Sequence, residues 1–217
     1  PQQTELLVLS IMNNRQPREF DRQHEFNFSL HFPDLARFRV SAFTQRGSAG
    51  MVLRLIKQRI PTIEELNLPL SLKDIVMNRR GLVIFLGGTG CGKTTSLAAM
   101  LDYRNSQCRE HIITIEDPIE FFHSHKESLV DQREVGVDTE SYELALKNTL
   151  RQAPNVIFIG EVRDRETMQY AINFAETGHL CLTTLHANNT DQAFDRIVNF
   201  FPEEKRMQVL MDLSLNM

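Results

Sequence analysis

The chain has 217 residues, 41% of them hydrophobic, so it can bury the core of one large domain or two small ones. Its formal net charge of -4 gives no cationic field for a nucleic-acid backbone or an anionic bilayer, which argues against nucleic acid as a ligand. No apolar run reaches the roughly 20 residues that cross a bilayer, so we expect any membrane association to go through a partner. Three cysteines without a C-x-x-C pair favour a reducing compartment. The chain starts without Met and stops inside a helical pattern, and we expect truncation at both ends.

The first 60 residues carry a helical pattern followed by alternation. Apolar residues at positions 6, 7, 9 and 11 predict a helix within residues 1–20, which Pro17 is expected to interrupt. Period-two patterns in residues 26–32 and 38–40, and a short apolar run at 52–56, then predict strands. Together they indicate a small α+β domain.

A proline-punctuated stretch follows this first domain. Pro61 and Pro69 resist both helix and central strand, and we therefore place a linker at residues 61–71. The predicted domains are residues 1–60 and residues 72–217.

The second domain alternates apolar runs with helical spacing. The strand candidates are residues 82–86, 112–115, 156–159 and 180–185. The segments 142–150 and 168–175 have helical spacing, and Gly178 supplies a stop after the latter. This order predicts a doubly wound α/β sheet that binds its ligand at the carboxyl ends of the strands.

Residues 87–94, with the sequence GGTGCGKT, match the phosphate-binding pattern G-x-x-x-x-G-K-[ST] between a predicted strand and a predicted helix. The glycines let backbone N–H groups turn toward phosphate oxygens, Lys93 reaches the outer phosphates, and Thr94 offers a hydroxyl to Mg²⁺. We therefore predict Mg·ATP as the ligand. The competing interpretation is a glycine-rich turn with an incidental lysine.

Acidic residues follow the strand candidate 112–115. Pro118 stops that strand, so Glu116 and Glu120 are expected on a fixed turn where one of them could polarise water. A solvated acidic turn explains the same spacing equally well.

Two further polar groups follow the later strand candidates. Glu161 comes after residues 156–159 and is placed to hold a water of the Mg²⁺ shell, whereas Asp164 is better explained as a helix N-cap. His179 and His186 bracket residues 180–185, so only His186 emerges at the carboxyl end, where it could hydrogen-bond a γ-phosphate. A structural role for either histidine stays open.

Four blocks occur in order along the chain: GGTGCGKTT at 87–95, TIEDPIEF at 114–121, GEVRD at 160–164 and ETGHLCLTTLH at 176–186. Together they resemble the Walker A, Asp box, atypical Walker B and His box of the secretion and type IV pilus ATPases. The string QREVGVDT at 132–139 resembles the retraction branch of that superfamily, and residues 163–186 are most similar to its accessory paralogue. The resemblance implies a RecA-like P-loop core preceded by a smaller PAS-like domain.

The resemblance also implies a role for individual residues. Glu120 would be the general base, Glu161 would support Mg²⁺ together with Thr94, and His186 would sense the γ-phosphate. Arg39 and Arg54 match arginines that the family supplies from its N-terminal domain; without the resemblance they are strand-surface arginines. The nucleotide-binding candidates are Gly87, Gly88, Thr89, Gly90, Cys91, Gly92, Lys93, Thr94 and Thr95. The supporting candidates are Glu116, Asp117, Arg163 and His179.

At the level of the whole protein, the resemblance implies a cytoplasmic hexameric motor for pilus retraction and twitching motility. Its expected partners are further copies of itself, the paralogous retraction ATPase and an inner-membrane platform protein that keeps it at the membrane. Two alternatives remain open: an assembly or type II secretion ATPase, and a nucleotide-gated accessory subunit with little turnover of its own.

Overall fold

A computed structural model of the chain describes residues 2–12, 16–32, 36–56 and 59–217. It falls into two compact units, residues 1–58 and residues 59–217. The segment predicted as a linker, residues 61–71, packs within the second unit, where Ile63 is buried and Leu66 and Leu68 pack against the same apolar cluster. The prolines prevent regular structure there, but they do not prevent the side chains between them from being buried.

The helices of the two units are, in chain order, α1 (Gln2–Ser10), α2 (Gln16–Gln23), α3 (Ser71–Val76), α4 (Lys93–Gln107), α5 (Tyr142–Thr149), α6 (Arg165–Glu176), α7 (Thr190–Asn199) and α8 (Glu203–Asn216). The strands are β1 (Glu25–Phe32), β2 (Ala36–Gln45), β3 (Ser48–Ile56), β4 (Gly81–Leu86), β5 (His111–Glu116), β6 (Leu129–Glu134), β7 (Val156–Ile159) and β8 (Leu180–Leu185). No helix of the described residues combines the length and the apolar character that a membrane span requires.

The first unit is an antiparallel sheet in the order β1-β2-β3 with α1 and α2. Its core consists of one cluster from both helices and two strands: Val8, Phe20, Phe28, Val40 and Ala42. The predicted strands are confirmed, but the effect assigned to Pro17 is wrong. Pro17 lies in the first turn of α2, where a helix tolerates proline because the missing N–H would have no partner in the helix.

The second unit contains a five-stranded parallel sheet in the order β4-β8-β7-β5-β6. Apolar side chains project from both faces of this sheet. The cluster that includes Ile113 and Ile157 packs with α5 to α8, and the cluster that includes Ile112 and Phe158 packs with α3 and α4. Helices therefore cover both faces, which confirms the predicted doubly wound fold.

Four of the five parallel strands coincide with the predicted apolar runs. Strand β6 was not predicted, because its sequence, Leu129-Val130-Asp131-Gln132-Arg133-Glu134, carries four consecutive polar residues. Such a sequence is possible because β6 is an edge strand that pairs only with β5 among the described strands.

Candidate functional site

The carboxyl ends of the parallel strands meet at one rim of the second unit. Residues 87–92 follow β4, His186 follows β8, Glu161 follows β7, and Asp117 follows β5. Neighbouring strands lie about 5 Å apart, so the rim extends roughly 14 Å from the β4 end to the β5 end. The order along the rim is therefore phosphate loop, histidine, Glu161 and then the acidic turn, which no sequence pattern specified.

The phosphate loop connects β4 to the amino terminus of α4. Gly90 and Gly92 have φ angles of 77° and 94°, which are favourable for glycine and strained for other residues. Lys93 is buried, and its Nζ donates hydrogen bonds to the carbonyls of Gly87 at 2.7 Å and Gly88 at 2.8 Å. The ammonium group is thus held against the loop that it is predicted to serve.

Acidic and basic side chains from three strand ends form one network. Arg163 Nε donates to Glu161 Oε2 at 2.8 Å, and Arg163 Nη1 lies 3.5 Å from Asp117 Oδ2. On its other side Glu161 Oε1 lies 3.2 Å from His186 Nε2. The structure therefore brings together four predicted residues, Asp117, Glu161, Arg163 and His186, from three separate blocks of sequence.

The backbone that carries Glu161 is fixed from two sides. Gly160 N donates to Ile115 O at 2.8 Å, and Thr184 Oγ1 donates to Gly160 O at 2.7 Å. A Cβ at position 160 would lie 3.2 Å from Cα of Glu116, closer than most Cβ contacts, so a larger residue would require the backbone of Glu116 to shift by a few tenths of an ångström. Thr184 was not recognised from the sequence, where it is one polar residue in an apolar strand.

The two acids Glu116 and Glu120 have opposite environments. Glu116 is 4% exposed and accepts a hydrogen bond from Thr114 Oγ1 at 2.6 Å, and burial raises the pKa of its carboxyl to about 7. Glu120 is exposed, four residues further along the turn. An acidic turn with both carboxylates in solvent, the competing sequence interpretation, does not describe Glu116.

Two further residues lie outside this network. His179 is away from the rim, and Asp164 has a structural role at the start of α6. His179 lies at the amino end of β8, where its Nδ1 is 3.2 Å from Phe174 O, so the structure does not bring it to the phosphate loop. Asp164 accepts a hydrogen bond from Thr167 N at 2.8 Å and is the N-cap of α6, as predicted.

The two candidate arginines of the first unit lie next to each other. Arg39 of β2 is directly opposite Arg54 of β3 in the antiparallel register, and Ser29 of β1 is opposite Arg39 on its other side. Directly opposed residues share one face of a sheet, and like charges there repel. The register therefore places two guanidinium groups on one face of that sheet.

The residues expected to hold Mg²⁺ are of the right chemical type. Thr94 lies in the first turn of α4, and the Glu161 carboxylate is held in place by Arg163 and His186. Mg²⁺ binds few protein oxygens and keeps waters and substrate phosphates as its other ligands. Among the described residues, no group of three or more His, Cys, Asp or Glu is placed to hold a metal ion.

Comparison with protein families places this site in a known context. Residues 8–215 match the family described as type II/IV secretion system protein. The type IV pilus ATPase PilU of Pseudomonas aeruginosa is 61% identical over 217 residues, which are 100% of this chain and 57% of PilU. The type IV pilus retraction ATPase PilT of the same organism is 46% identical over 98% of this chain and 62% of PilT. The chain thus spans about three fifths of the length of these relatives.

Solved structures of ATPases resemble this chain over nearly its whole length. The crystal structure of the pilus retraction motor PilT with bound ADP superposes with a TM-score of 0.96 at 42% identity, covering 100% of this chain and 63% of that one. The X-ray structure of the Legionella pneumophila ATPase DotB superposes with a TM-score of 0.85 at 28% identity, covering 97% of this chain and 60% of that one.

Proposed function

Because the chain belongs to the type II/IV secretion system protein family, we propose that it is the ATP-hydrolysing part of a motor that retracts type IV pili in twitching motility. The observation that carries the proposal is the rim of the parallel sheet, where a phosphate loop is followed by His186, Glu161 and the turn that holds Glu120. The likeness over the whole chain to PilU and PilT supports pilus retraction as the process served.

The phosphate loop captures the triphosphate. Backbone N–H groups of residues 87–92 and the positive end of α4 attract the phosphate oxygens, and the Lys93 ammonium exchanges its carbonyl partners for the outer phosphates. Thr94 and Glu161 would hold Mg²⁺, which when bound neutralises charge on the phosphate oxygens.

Hydrolysis requires a water placed in line with the bond between the β- and γ-phosphates. Glu120 is exposed at the rim and accepts a proton from that water as its oxygen attacks phosphorus, while the bond to the leaving ADP breaks. His186, which follows β8 beside the strand that leads into the phosphate loop, donates a hydrogen bond to the γ-phosphate. Arg39 and Arg54, which lie opposite each other in the first unit, stay a prediction from the family resemblance as residues that stabilise the growing charge of the transferred group.

The proposed motor works as a hexamer of this chain at the cytoplasmic side of the inner membrane. Nucleotide binding and release would change the position of the first unit relative to the second and transmit that movement to a platform protein of the pilus, with the paralogous retraction ATPase as a further partner.

Phosphate release by the oligomeric full-length protein tests the assignment of residues. Lys93→Ala is expected to weaken ATP binding by at least about tenfold, because it removes the ammonium group that contacts the phosphates. Glu120→Gln is expected to lower kcat by about 10² or more and to leave ATP binding within about twofold, because an amide cannot accept the proton.

Two exposed residues near the same turn provide matched controls. Lys126→Ala removes a lysine that pairs with Asp102, and Glu127→Gln neutralises a glutamate that pairs with Arg109. Both variants should turn over ATP like the parent protein. Unchanged turnover in Lys93→Ala or Glu120→Gln would contradict the residue roles, and tight ATP binding with no turnover in the parent would favour a nucleotide-gated accessory subunit.

A further inference from the structure

The turn that carries Glu120 has an ordered alternation, although it contains no regular strand. Ile119, Phe121 and His123 are buried, with 8%, 4% and 5% of their surface exposed, whereas Glu120 and Phe122 between them are exposed. The candidate base is therefore the outward residue between two buried ones. Only Phe121 forms an isolated β-bridge within residues 119–123, so side-chain hydrogen bonds must contribute to holding the rest of this backbone.

Two side chains of the edge strand β6 hold the turn by its main-chain groups. Glu134 Oε2 accepts a hydrogen bond from the N–H of Ile119 at 3.1 Å. Gln132 Nε2 donates to the carbonyl of Phe121 at 2.9 Å, and Gln132 Oε1 accepts from the N–H of His123 at 2.7 Å. The residues immediately before and after Glu120 are thus both fixed by side chains of one strand.

The same strand is tied to the buried acid Glu116. Gln132 Nε2 also donates to Glu116 Oε1 at 3.3 Å, so the side chain that holds the turn contacts the buried carboxyl as well. Together, Gln132 and Glu134 therefore contact main-chain groups at residues 119, 121 and 123, and Gln132 links them to Glu116.

Strand β6 is itself well placed to act as a rigid support. Glu134 is directly opposite Glu116 in the parallel register, and Val135 N donates to Glu116 O at 2.9 Å. Glu134 is 2% exposed, and its backbone N–H donates to Asp138 Oδ2 at 2.9 Å. The two side chains that hold the turn therefore project from a backbone that is fixed at its carboxyl end.

We infer that Gln132 and Glu134 are positioning residues that hold the Glu120 carboxylate at the rim for proton abstraction. This inference rests on the proposed function, since it concerns the same reaction. A general base must lie within hydrogen-bond reach of the attacking water, and displacement by about 1 Å can cost on the order of 10² in rate. The string QREVGVDT would then matter for catalysis as well as marking a branch of the superfamily.

The first test replaces Gln132 by a residue of similar length without hydrogen-bonding groups. In the full-length oligomeric protein, Gln132→Met should lower kcat by about tenfold or more and leave the dissociation constant of ATP within about twofold, because the phosphate loop is untouched. Asp131→Asn is the matched control: it lies on the same strand, pairs with His111 and forms no hydrogen bond with the turn among the described residues, so kcat should not change.

The second test uses the geometry of the Glu134 contact. An amide oxygen can accept the N–H of Ile119 as a carboxylate does, so Glu134→Gln should keep most of the turnover, and Glu134→Leu should lower kcat by about tenfold. This pair keeps the inference testable if Gln132→Met does not fold. Equal turnover in the Gln and Leu variants would overturn the role of Glu134.

A double-mutant cycle separates positioning from general structural support. If Gln132 acts through Glu120, adding Gln132→Met to Glu120→Gln should produce no further loss of kcat, since the group being positioned is already absent. A further tenfold loss in the double variant would overturn the inference in favour of a structural role. If Glu120→Gln alone leaves kcat unchanged, the proposed function of Glu120 fails; if it abolishes turnover while Gln132→Met does not, only the inference about β6 fails.

Discussion

At position 87 the phosphate loop leaves no room for a side chain. The residue has a φ of 149°, and a Cβ there would lie 2.4 Å from Cys91 Sγ and 3.8 Å from Cγ of Lys93. The neighbouring Gly88 is different, because a Cβ there would meet nothing within 4 Å and its φ is not in the positive range. The two glycines of one motif are therefore present for different reasons.

This difference predicts different effects for two adjacent substitutions. Gly87→Ala should weaken ATP binding by at least about tenfold, because the positive φ strains an alanine by about 1–3 kcal/mol and its Cβ would force Cys91 Sγ to move. Gly88→Ala should bind ATP within about twofold of the parent, because it introduces neither strain nor a clash. Titration calorimetry with Mg·ATP measures both, and equal affinities in the two variants would contradict the assignment.

Among the secondary-structure elements, α6 illustrates a prediction made and confirmed at the level of single hydrogen bonds. Asp164 caps the helix through its contact with Thr167 N, and the helix then runs for 12 residues to Glu176. Its buried side chains belong to the apolar cluster that covers one face of the sheet. Loss of the cap is therefore expected to lower the stability of the whole second unit.

Loss of this cap should lower stability without affecting ATP binding. Asp164→Ala is expected to cost about 1 kcal/mol, because the N–H of Thr167 loses its partner. For a unit of this size that corresponds to a decrease in Tm of about 2–4 °C. Arg165→Ala, an exposed change in the first turn of the same helix, is the control and should change Tm by less. An unchanged Tm in Asp164→Ala would show that the cap contributes nothing measurable.

The edge strand β6 illustrates the opposite case. Its polar sequence gave no strand signal, yet it completes the sheet and supplies the side chains that hold the turn at residues 117–123. A pattern of apolar residues identifies strands that are buried on both faces. It does not identify an edge strand whose side chains serve as hydrogen-bonding partners for a neighbouring turn.

For the molecule as a whole, the buried carboxyl of Glu116 links stability to pH. Its pKa of about 7 in the folded state is above its ordinary value of 4.5, because burial disfavours the charged form. Between these two values the folded state binds more protons than the unfolded state, so the free energy of unfolding falls as pH rises. The contribution of this group is fully present below pH 4.5 and lost above about pH 7.

Removal of the titrating group should remove this part of the pH dependence. A shift of this size corresponds to about 3 kcal/mol, so Glu116→Gln should gain up to that much stability relative to the parent between pH 5 and pH 8. Urea unfolding at the two pH values measures the difference. The exposed Glu127→Gln should follow the parent at both values. The same stability difference between Glu116→Gln and the parent at both pH values would contradict the burial argument.

For the whole molecule, the sequence predicted the sheets of both units. The doubly wound sheet followed from alternating apolar runs, and the antiparallel sheet followed from period-two patterns, because both kinds of periodicity are local properties of the chain. The linker at residues 61–71 stays a prediction; the burial of Ile63 and the packing of Leu66 and Leu68 against the same apolar cluster could not be predicted, because they depend on a helix and strands that come later in the chain.

The sequence by itself determined the phosphate loop, the identity of the acids and His186 at the strand ends, and the cap at Asp164, because each rests on residue types at short, fixed spacings. Only the tertiary structure decided the order of these groups along the rim and the burial of Glu116. It also decided that His179 lies at the amino end of β8 and that side chains of β6 form hydrogen bonds with the turn that carries Glu120. Those features depend on which strands become neighbours, and strand order is set by packing between distant segments rather than by local pattern.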